Sequence, residues 1–381
     1  MIYLDYSATT PVNSDVLESY NKATKDYMGN ANSIHALGVK SKVLLNSATK
    51  QICELLNIDE KEMIYTSGAT ESNNMAFKGV AEYYKNKGNH IIVSQLEHPS
   101  IYKICDYLRN NGFEISYVKN DSDGLIDFED LKRLIKPETI LVSICAVNSE
   151  VGVRQPLKTI RQIIKKENPD TLFHSDMTQA IGKVAINLHD VDLASCSGHK
   201  IFGPKGIGLL YKSSKVHLVP LIHGSSKFDE LRGGTPPLPL IVAFSKALRI
   251  ALKDIDKKEL MVQKLNDKVV NILSKYPNVK INKTKYSIPH ILNISLMTVK
   301  SETMVHALEE NEVYVSTNTA CSSGDMSVAV MALFNDQRRA MTTLRISLSY
   351  ATTNEEINKF SKIFDDEYKK LAELMDVKEK A

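Results

Sequence analysis

Short apolar segments alternate with longer amphipathic segments between residues 63 and 211, and this alternation constrains the fold more than any other feature. The apolar segments predict strands at residues 63–66, 90–94, 114–118, 140–146, 172–175, 193–197 and 208–211. The stretches between them predict helices at residues 73–86, 101–111, 128–135 and 157–167. This order is typical of a mostly parallel sheet with helices on both faces. The sequence therefore predicts an α/β fold with functional residues at the carboxyl ends of the strands.

The pattern changes after residue 240. Apolar residues recur with helical spacing from residue 240 to residue 276, which predicts one long helix or two. Three β-rich pieces follow at 291–296, 313–316 and 344–348, and a charged helix from 354 to about 375 closes the chain. We therefore expect a large domain at residues 15–255 and a smaller α+β domain made of residues 1–14 and 256–381.

Composition and charge narrow the class of protein. Hydrophobic residues make up 43% and charged residues 24%, which is typical of a soluble globular chain. The net charge of +3 gives no reason to expect nucleic acid or an anionic membrane as a partner. The N-terminus lacks the regions of a secretory signal, and the apolar runs fall short of the ~18–20 residues that a membrane helix needs. We expect a soluble, cytoplasmic protein.

The cysteines are few and contain no C-x-x-C pair. Their odd number, five, argues against a disulfide framework, and no His/Cys cluster predicts a resident metal. Cys321 lies among small polar residues, which makes it a candidate nucleophile or, alternatively, a surface thiol without a role. The other four lie in apolar segments and are expected to be structural: Cys53, Cys105, Cys145 and Cys196.

Residues 66–74 follow a predicted strand and open a predicted helix. The small side chains around Gly68 and Ala69 let backbone N–H groups approach an anion, and a helix N-terminus favours negative charge. Thr70 adds a hydroxyl donor. The segment is consistent with a phosphate site, and equally with an ordinary Ser or Thr N-cap.

Side chains that could take part in catalysis or cofactor binding follow three more predicted strands. Asp176 could hold a protonated ring nitrogen of a heterocycle or cap a helix. Lys200 closes a run of small and apolar residues, where a partly desolvated amine can form a Schiff base. His98 could stack on an aromatic cofactor and move protons, or simply cap a helix. The glycines after Lys200 have the wrong spacing for a dinucleotide site and precede a strand.

An aldehyde-binding lysine, an acid for a pyridinium nitrogen, a phosphate cradle and a ring-stacking group together meet the needs of pyridoxal phosphate. Over nearly its whole length the chain resembles the cysteine desulfurases, in the class V aminotransferase group of fold-type I pyridoxal phosphate enzymes. The motifs that carry the resemblance are Tyr3-Leu4-Asp5-Tyr6-Ser7-Ala8-Thr9-Thr10-Pro11, Asn30-x-Asn32-Ser33-x-His35, Thr66-Ser67-Gly68-Ala69-Thr70-Glu71, Glu97-His98, His174-x-Asp176-x-x-Gln179, Ser197-Gly198-His199-Lys200, Gly203-Pro204-Lys205-Gly206, Arg232-Gly233-Gly234-Thr235, Ala320-Cys321 and Leu344-Arg345-Ile346-Ser347.

The resemblance implies an aspartate aminotransferase-like fold and pyridoxal 5′-phosphate as cofactor. Lys200 would bind the aldehyde, Asp176 would pair with the pyridinium nitrogen, and His98 would stack on the ring and transfer protons. Gln179 would hydrogen-bond the phenolic oxygen. The remaining cofactor contacts implied are Ala69, Thr70, Ser149, Ser197, His199 and, reaching the phosphate of the other subunit in a homodimer, Thr235.

The resemblance also implies a reaction. Arg345 would grip the carboxylate of L-cysteine with both arms, helped by Asn32. Cys321 would attack the sulfur, leaving L-alanine and an enzyme persulfide. Acceptors would then receive the sulfur, for example in iron–sulfur cluster assembly or tRNA thiolation, with a transient iron–sulfur contact through Cys321. A selenocysteine lyase, an aminotransferase and a non-catalytic paralogue are the alternatives, and the intact set of reactive residues argues against the last.

The chain departs from the family pattern in three places. Ser149 stands where the family has the second Asn of an Asn-Asn-Glu run, and Gly233 replaces a common Ser. Housekeeping members carry a longer C-terminal tail that docks the iron–sulfur scaffold protein, so docking by that route is left open here. We expect Ser149 to leave activity intact and to alter the cofactor's surroundings slightly.

Overall fold

The structure, a computed structural model, describes residues 1–224, 230–317 and 326–380, with side chains up to residue 373. Its strands are β1 (Ile2–Tyr3), β2 (Met63–Thr66), β3 (His90–Ser94), β4 (Glu114–Val118), β5 (Thr139–Ser143), β6 (Leu172–Asp176), β7 (Leu193–Ser197), β8 (Gly208–Lys212), β9 (Lys280–Ile281), β10 (Ile291–Ser295), β11 (Val313–Tyr314) and β12 (Thr343–Ser347). Its helices are α1 (Ser14–Asp26), α2 (Ala36–Leu56), α3 (Ala69–Tyr84), α4 (Pro99–Asn110), α5 (Phe128–Leu134), α6 (Leu157–Glu167), α7 (Leu238–Leu252), α8 (Ile255–Leu273), α9 (Ser301–Glu310), α10 (Val328–Phe334), α11 (Gln337–Met341) and α12 (Asn354–Lys380).

Seven strands form the central sheet, in the order β2-β8-β7-β6-β5-β3-β4. Every neighbouring pair is parallel except those of β8, which runs antiparallel to β2 and β7. Successive side chains point to opposite faces, so Ile92 enters one hydrophobic core while Ile91 and Val93 enter another. Helices cover both faces, and the predicted α/β fold is confirmed. Four of the seven predicted strands have the predicted bounds: β2, β3, β4 and β7.

The region predicted as one long helix or two is two helices, α7 and α8. The chain turns between them at Asp254, whose φ of 52° lies in the left-handed region and ends the helical path. Helix α7 packs against α1 and α2, neither of which the sequence pattern predicted. Both missed helices expose large apolar residues, among them Leu17, Leu37 and Val43, and this blurs the two-sided pattern on which helix prediction depends.

A second unit follows α7. Strands β12, β10 and β9 form an antiparallel sheet, and the short β1 pairs in parallel with β11. The core of this unit joins Ile2 and Leu4 to residues between Val262 and Tyr368. The N-terminal strand is therefore part of the second unit. Residues 5–9 then run to the central sheet, where Thr10 donates to the His199 carbonyl and accepts the backbone N–H of Phe202.

Among the helices of the described residues, none is both long enough and apolar enough to span a bilayer.

Candidate active site

A cavity of about 470 Å³ opens at the carboxyl ends of β5, β6 and β7. Ten of the predicted site residues line it: Ala69, Thr70, His98, Ser149, Asp176, Gln179, Ser197, His199, Lys200 and Arg345. Three predicted residues are missing from this group. Asn32 and Thr235 are exposed and lie outside the lining, and Cys321 lies outside the described residues. A larger cavity of about 550 Å³ elsewhere contains none of the predicted residues.

Lys200 ends a 3₁₀ turn, Gly198–Lys200, that follows β7 directly. Its Nζ donates to the carbonyl oxygens of Ser7 and Ala8, both at 2.6 Å. The N-terminal segment therefore holds the amine inside the cavity, half-buried. Lys205, the other lysine of this motif, is exposed at the rim.

Asp176 is buried at the end of β6, and other residues fix both oxygens of its carboxylate. Its Oδ1 accepts the backbone N–H of Thr178 at 3.0 Å, and its Oδ2 accepts from the Asn73 side chain at 2.9 Å. Asn73 lies on α3, is fully buried, and also donates to Ser100 at 3.2 Å. Sequence analysis did not single out Asn73. Its position one helical turn after the start of α3, facing a strand end, was the available signal.

His98 caps a helix and also lines the cavity, so its role toward a cofactor stays a prediction. Its Nδ1 accepts the backbone N–H of Ser100 at 3.1 Å, which begins α4. Burial lowers the pKa of His98, and the nearby Lys200 lowers it further while Asp176 opposes both. At neutral pH the ring is therefore uncharged, and with Nδ1 accepting it carries its proton on Nε2.

Helix α3 begins at the cavity with a backbone of small residues. Its N-cap is Gly68, which makes no side-chain capping bond, so the predicted Ser or Thr cap is not formed. A side chain at Gly68 would need a φ of 152° and would stand 3.3 Å from the Ser197 hydroxyl. The Cβ of any residue replacing Gly208 would lie 2.5 Å from the Gly68 Cα. These glycines bring the N-terminus of α3 against the end of β7, as an anion cradle requires.

Both the nitrogen and the oxygen of the Gln179 side-chain amide are hydrogen-bonded. Its Nε2 donates to the Ser7 carbonyl at 2.9 Å, and the Lys183 amine donates to its Oε1. Lys183 is buried, and burial holds the pKa of its amine well below its usual range. Sequence analysis did not identify Lys183. A lysine four residues after Gln179 looked like an ordinary surface residue.

Arg345 forms the opposite side of the cavity, on β12. Its side chain is only 2% exposed, and its Nη1 donates to the Ser149 carbonyl at 3.0 Å. Its Nη2 donates to the Asp5 carboxylate, also at 3.0 Å. Burial raises the pKa of Asp5, and the pairing with Arg345 opposes this effect. Asp5 belongs to a motif that the sequence displays, but sequence analysis gave it no role.

Asn148-Ser149-Glu150 stands at the position of the family's Asn-Asn-Glu run. Asn148 is buried and shapes the turn, accepting the N–H groups of Glu150 and Val151 at 2.9 and 2.8 Å. Because the contact from Ser149 to Arg345 uses a backbone oxygen, it does not depend on the side chain at that position.

The four cysteines that the structure describes are free and buried, as predicted. Cys145 lines the cavity, but burial and the neighbouring Glu97 raise its thiol pKa well above the usual value, so it is a poor nucleophile. His174 lies inside the sheet between the hydroxyls of Ser143 and Ser195, at 2.9 and 3.0 Å. The histidine of that motif is therefore structural.

These residues fit pyridoxal phosphate on chemical grounds. The cavity joins an amine at Lys200, an oriented carboxylate at Asp176 and a helix N-terminus without a side-chain cap. The buried hydroxyl of Thr178 lines the same cavity and has no hydrogen-bond partner within the described ranges, so it is available to a ligand. Those ranges contain no group of three or more His, Cys, Asp or Glu side chains that could hold a metal.

Comparison with known proteins agrees with this site. The family model for class V aminotransferases matches residues 2–360, and the chain belongs to that family. Its fold and family make it a pyridoxal-phosphate-dependent enzyme.

The relatives narrow the class further. The chain is 39% identical to the cysteine desulfurase IscS of Rickettsia typhi over 366 residues, covering 94% of this chain and 88% of the relative. A solved NifS-like protein superimposes with a TM-score of 0.91 at 35% identity, covering 96% and 98% of the two chains. SspA, solved in complex with cysteine, matches with a TM-score of 0.80 at 31% identity, over 93% of this chain and 100% of the other.

Proposed function

We propose that this chain is a cysteine desulfurase that removes sulfur from L-cysteine and leaves L-alanine and a persulfide on Cys321. One observation carries the proposal: the Lys200 amine and the Asp176 carboxylate lie at the ends of neighbouring strands, and Arg345 faces them across the same cavity. The names of similar proteins support the same function, because they include an IscS cysteine desulfurase and a protein solved in complex with cysteine.

The cofactor end would use residues already held in place. Lys200 would bind the aldehyde, and Asp176 would keep the ring nitrogen protonated because Asn73 and Thr178 fix its carboxylate. The helix N-terminus at Ala69, with Thr70, Ser197 and His199, would hold the phosphate. Burial and the nearby Lys200 lower the pKa of His199 to about 4, so it would bind the phosphate as a neutral donor. The bound cofactor supplies an electron sink next to the substrate's amino group.

The substrate end would bind and convert L-cysteine. Arg345 would hold the carboxylate, and His98 would hold a proton at Nε2 and transfer it during the reaction. The Cys321 thiolate would attack the substrate sulfur. The carbon–sulfur bond breaks, a sulfur–sulfur bond forms on Cys321, and the substrate's carbon skeleton leaves as L-alanine after taking up a proton. Buried Cys145 would not replace Cys321 in this step, because its thiol stays protonated.

Borohydride reduction of the holoenzyme followed by peptide mapping tests the cofactor site. We expect the pyridoxyl label on Lys200, which is held inside the cavity, and none on Lys205, which is exposed at the rim. A label on Lys205 would contradict the assignment. Product analysis then separates the alternatives: alanine with sulfane sulfur for a desulfurase, alanine with selenide for a selenocysteine lyase, and a keto acid for an aminotransferase.

We also propose that the enzyme is a homodimer. Residues of α1, α2 and the segment between them expose large apolar side chains, with Met28 82% and Ile34 96% exposed. Isolated exposed apolar residues are ordinary, but a group from adjacent elements marks an interface. The others are Leu17, Leu37, Val39 and Val43, and Val12 is exposed just before α1. Thr235 is exposed on a segment that Arg232 anchors to Glu71 at the cavity, with 3.0 Å between the Arg232 Nε and the Glu71 carboxylate. As the resemblance implies, Thr235 would reach the phosphate of the second subunit.

Light scattering over a dilution series tests the dimer, with Ile34→Asp as the interface variant and Leu260→Asp, at an exposed apolar residue of α8, as a control outside that group. We expect a dimer at all concentrations for the parent and the control, and dissociation with loss of cofactor for Ile34→Asp. A stable monomer that keeps its cofactor and full activity would contradict the proposal.

The proposal also includes the division into domains and the cellular compartment. The division into a large domain at 15–255 and a small one at 1–14 with 256–381 is supported by the separate core around Leu4 and Phe360. Four buried free thiols agree with a reducing, cytoplasmic setting. Asn32 would assist Arg345 in holding the carboxylate of L-cysteine, as the resemblance implies.

The sulfur acceptor would be a protein of iron–sulfur assembly or tRNA thiolation. Capture of the native acceptor, with sulfur transfer measured, tests the acceptor.

A further inference from the structure

The Arg345 guanidinium has an unused hydrogen-bonding edge. Arginine carries five N–H groups, and the structure assigns partners to Nη1 and Nη2. The Nε–H group is buried and has no hydrogen-bond partner among the described residues. A buried donor of a charged group without an acceptor is costly, so this edge is prepared for a ligand with an acceptor oxygen. Since Arg345 lines the cavity, that ligand arrives from the cavity.

Asp5 is fixed relative to this edge by the strand that carries Arg345. The backbone of Asp5 pairs with that of Ser347. Ser347 lies two residues after Arg345 on β12, so the two side chains point to the same side of the strand. Two more contacts hold the segment: the Ser347 hydroxyl accepts the Ser7 N–H at 2.9 Å, and the Tyr3 hydroxyl donates to the Asp5 carbonyl at 3.1 Å. The carboxylate of Asp5 thus has little freedom to leave Arg345.

We propose that Asp5 is a positioning residue, which together with the Ser149 carbonyl orients the Arg345 guanidinium so that its Nε edge receives the carboxylate of the substrate. The inference rests on the proposed role of Arg345. One N–H of Nη2 goes to Asp5, and the other, beside Nε–H, completes a two-donor edge that matches a carboxylate. Fixing the plane of the guanidinium before the substrate binds reduces the entropy lost on binding.

A competing role for Asp5 makes the opposite prediction. If Asp5 occupied the place of the substrate carboxylate, removing its charge would strengthen substrate binding. If Asp5 only stabilised the fold, its removal would affect all ligands alike. Two probes separate these roles: 3-mercaptopropionate has the carboxylate and thiol of cysteine but no amine, and cysteamine has the amine and thiol but no carboxylate.

The experiment measures inhibition of the holoenzyme by both probes, and KM and kcat for L-cysteine. We expect Asp5→Asn to weaken 3-mercaptopropionate roughly tenfold and to raise KM similarly, with cysteamine and kcat changing less than about twofold. Asp5→Glu should restore part of the affinity. Asp26→Asn, an exposed acid at the end of α1, is the matched control and should change nothing.

Three results would overturn the inference. Tighter binding of 3-mercaptopropionate by Asp5→Asn would make Asp5 a competitor, and equal changes for both probes, or no change, would make it structural. Arg345→Lys decides which proposal fails. If Arg345→Lys weakens 3-mercaptopropionate and Asp5→Asn does not, only the role of Asp5 is wrong. If Arg345→Lys leaves that inhibitor unaffected, the proposed carboxylate site is wrong as well.

Discussion

The two ends of the cavity are built in different ways. At the cofactor end, Asp176 ends β6 and Lys200 follows the neighbouring strand β7, so parallel pairing brings their backbones together, and the carbonyls of Ser7 and Ala8 then hold the Lys200 amine. At the substrate end, Arg345 meets Asp5 across 340 residues of chain and Ser149 across 196. The first end depends on the central sheet and the second on the docking of the small unit. Changes at the first should therefore appear in cofactor binding, and changes at the second in KM.

The largest effect is expected for Lys200→Ala, because this change removes the amine that would bind the aldehyde. Turnover of L-cysteine should fall at least roughly a hundredfold, and the visible absorbance of the cofactor should not survive gel filtration. Lys205→Ala, at the exposed rim, should keep both properties within about twofold. A Lys200→Ala enzyme with normal turnover would remove the basis for the cofactor end.

Arg345→Lys should affect the substrate end and leave the cofactor end unchanged. Lysine keeps the charge but has no planar pair of donors for a carboxylate. We expect KM for L-cysteine to rise roughly tenfold to a hundredfold, measured by alanine release, with an unchanged cofactor spectrum. If the variant instead lost its cofactor and kept its KM, the assignment of the two ends would be reversed.

Asn73→Ala tests the residue that orients Asp176. Losing the 2.9 Å bond leaves the buried Asp176 oxygen without that donor, so affinity for pyridoxal phosphate should fall roughly fivefold to tenfold. Titration of cofactor-free protein with pyridoxal phosphate, followed by absorbance, measures the change. Asn74→Ala is the matched control, because Asn74 bonds to the Thr70 carbonyl on the same helix. Equal losses in both variants would show a general weakening of α3.

The last prediction concerns the stability of the fold and not ligand binding, and it involves Glu97, beside His98. Burial raises the pKa of Glu97 to about 8, while the unfolded chain titrates near the ordinary value of 4.5. Below pH 4.5 both states are protonated. Between about pH 4.5 and 8 the unfolded state has already lost the proton that the folded state keeps, so Glu97 makes the fold progressively less stable as pH rises through this range.

Glu97→Gln cannot ionise, so its melting temperature should fall less than that of the parent between pH 5 and pH 8. Its amide oxygen can still accept from Ser94 and from the backbone N–H of Cys145, as Glu97 does at 2.6 and 2.7 Å. Thermal unfolding at both pH values measures the difference. Parallel pH profiles for the two proteins would show that Glu97 is ionised in the fold.

The difference between the two ends of the cavity also explains which features could be predicted from the sequence and which could not. Local patterns predicted the central strands, and the strand ends placed His98, Asp176 and Lys200 in one cavity. The partners that orient them were missed, because Asn73 and Lys183 face the site only after helices and turns pack on the sheet. Asp5 lay in a quoted motif, but its contact with Arg345 depends on the N-terminal strand joining the second core. Asn32 and Thr235 are exposed and lie outside the cavity lining, so their roles stay predictions.

The central claim is that L-cysteine is cleaved to L-alanine with its sulfur left on Cys321. A single turnover of the holoenzyme with L-cysteine tests it, with alanine quantified and the sulfur located by peptide mass spectrometry. We expect one alanine per persulfide, with the persulfide on Cys321, and we expect Cys321→Ser to keep the cofactor's visible band while releasing no alanine. Alanine released by Cys321→Ser at the parent rate, or a keto acid in place of alanine, would contradict the account.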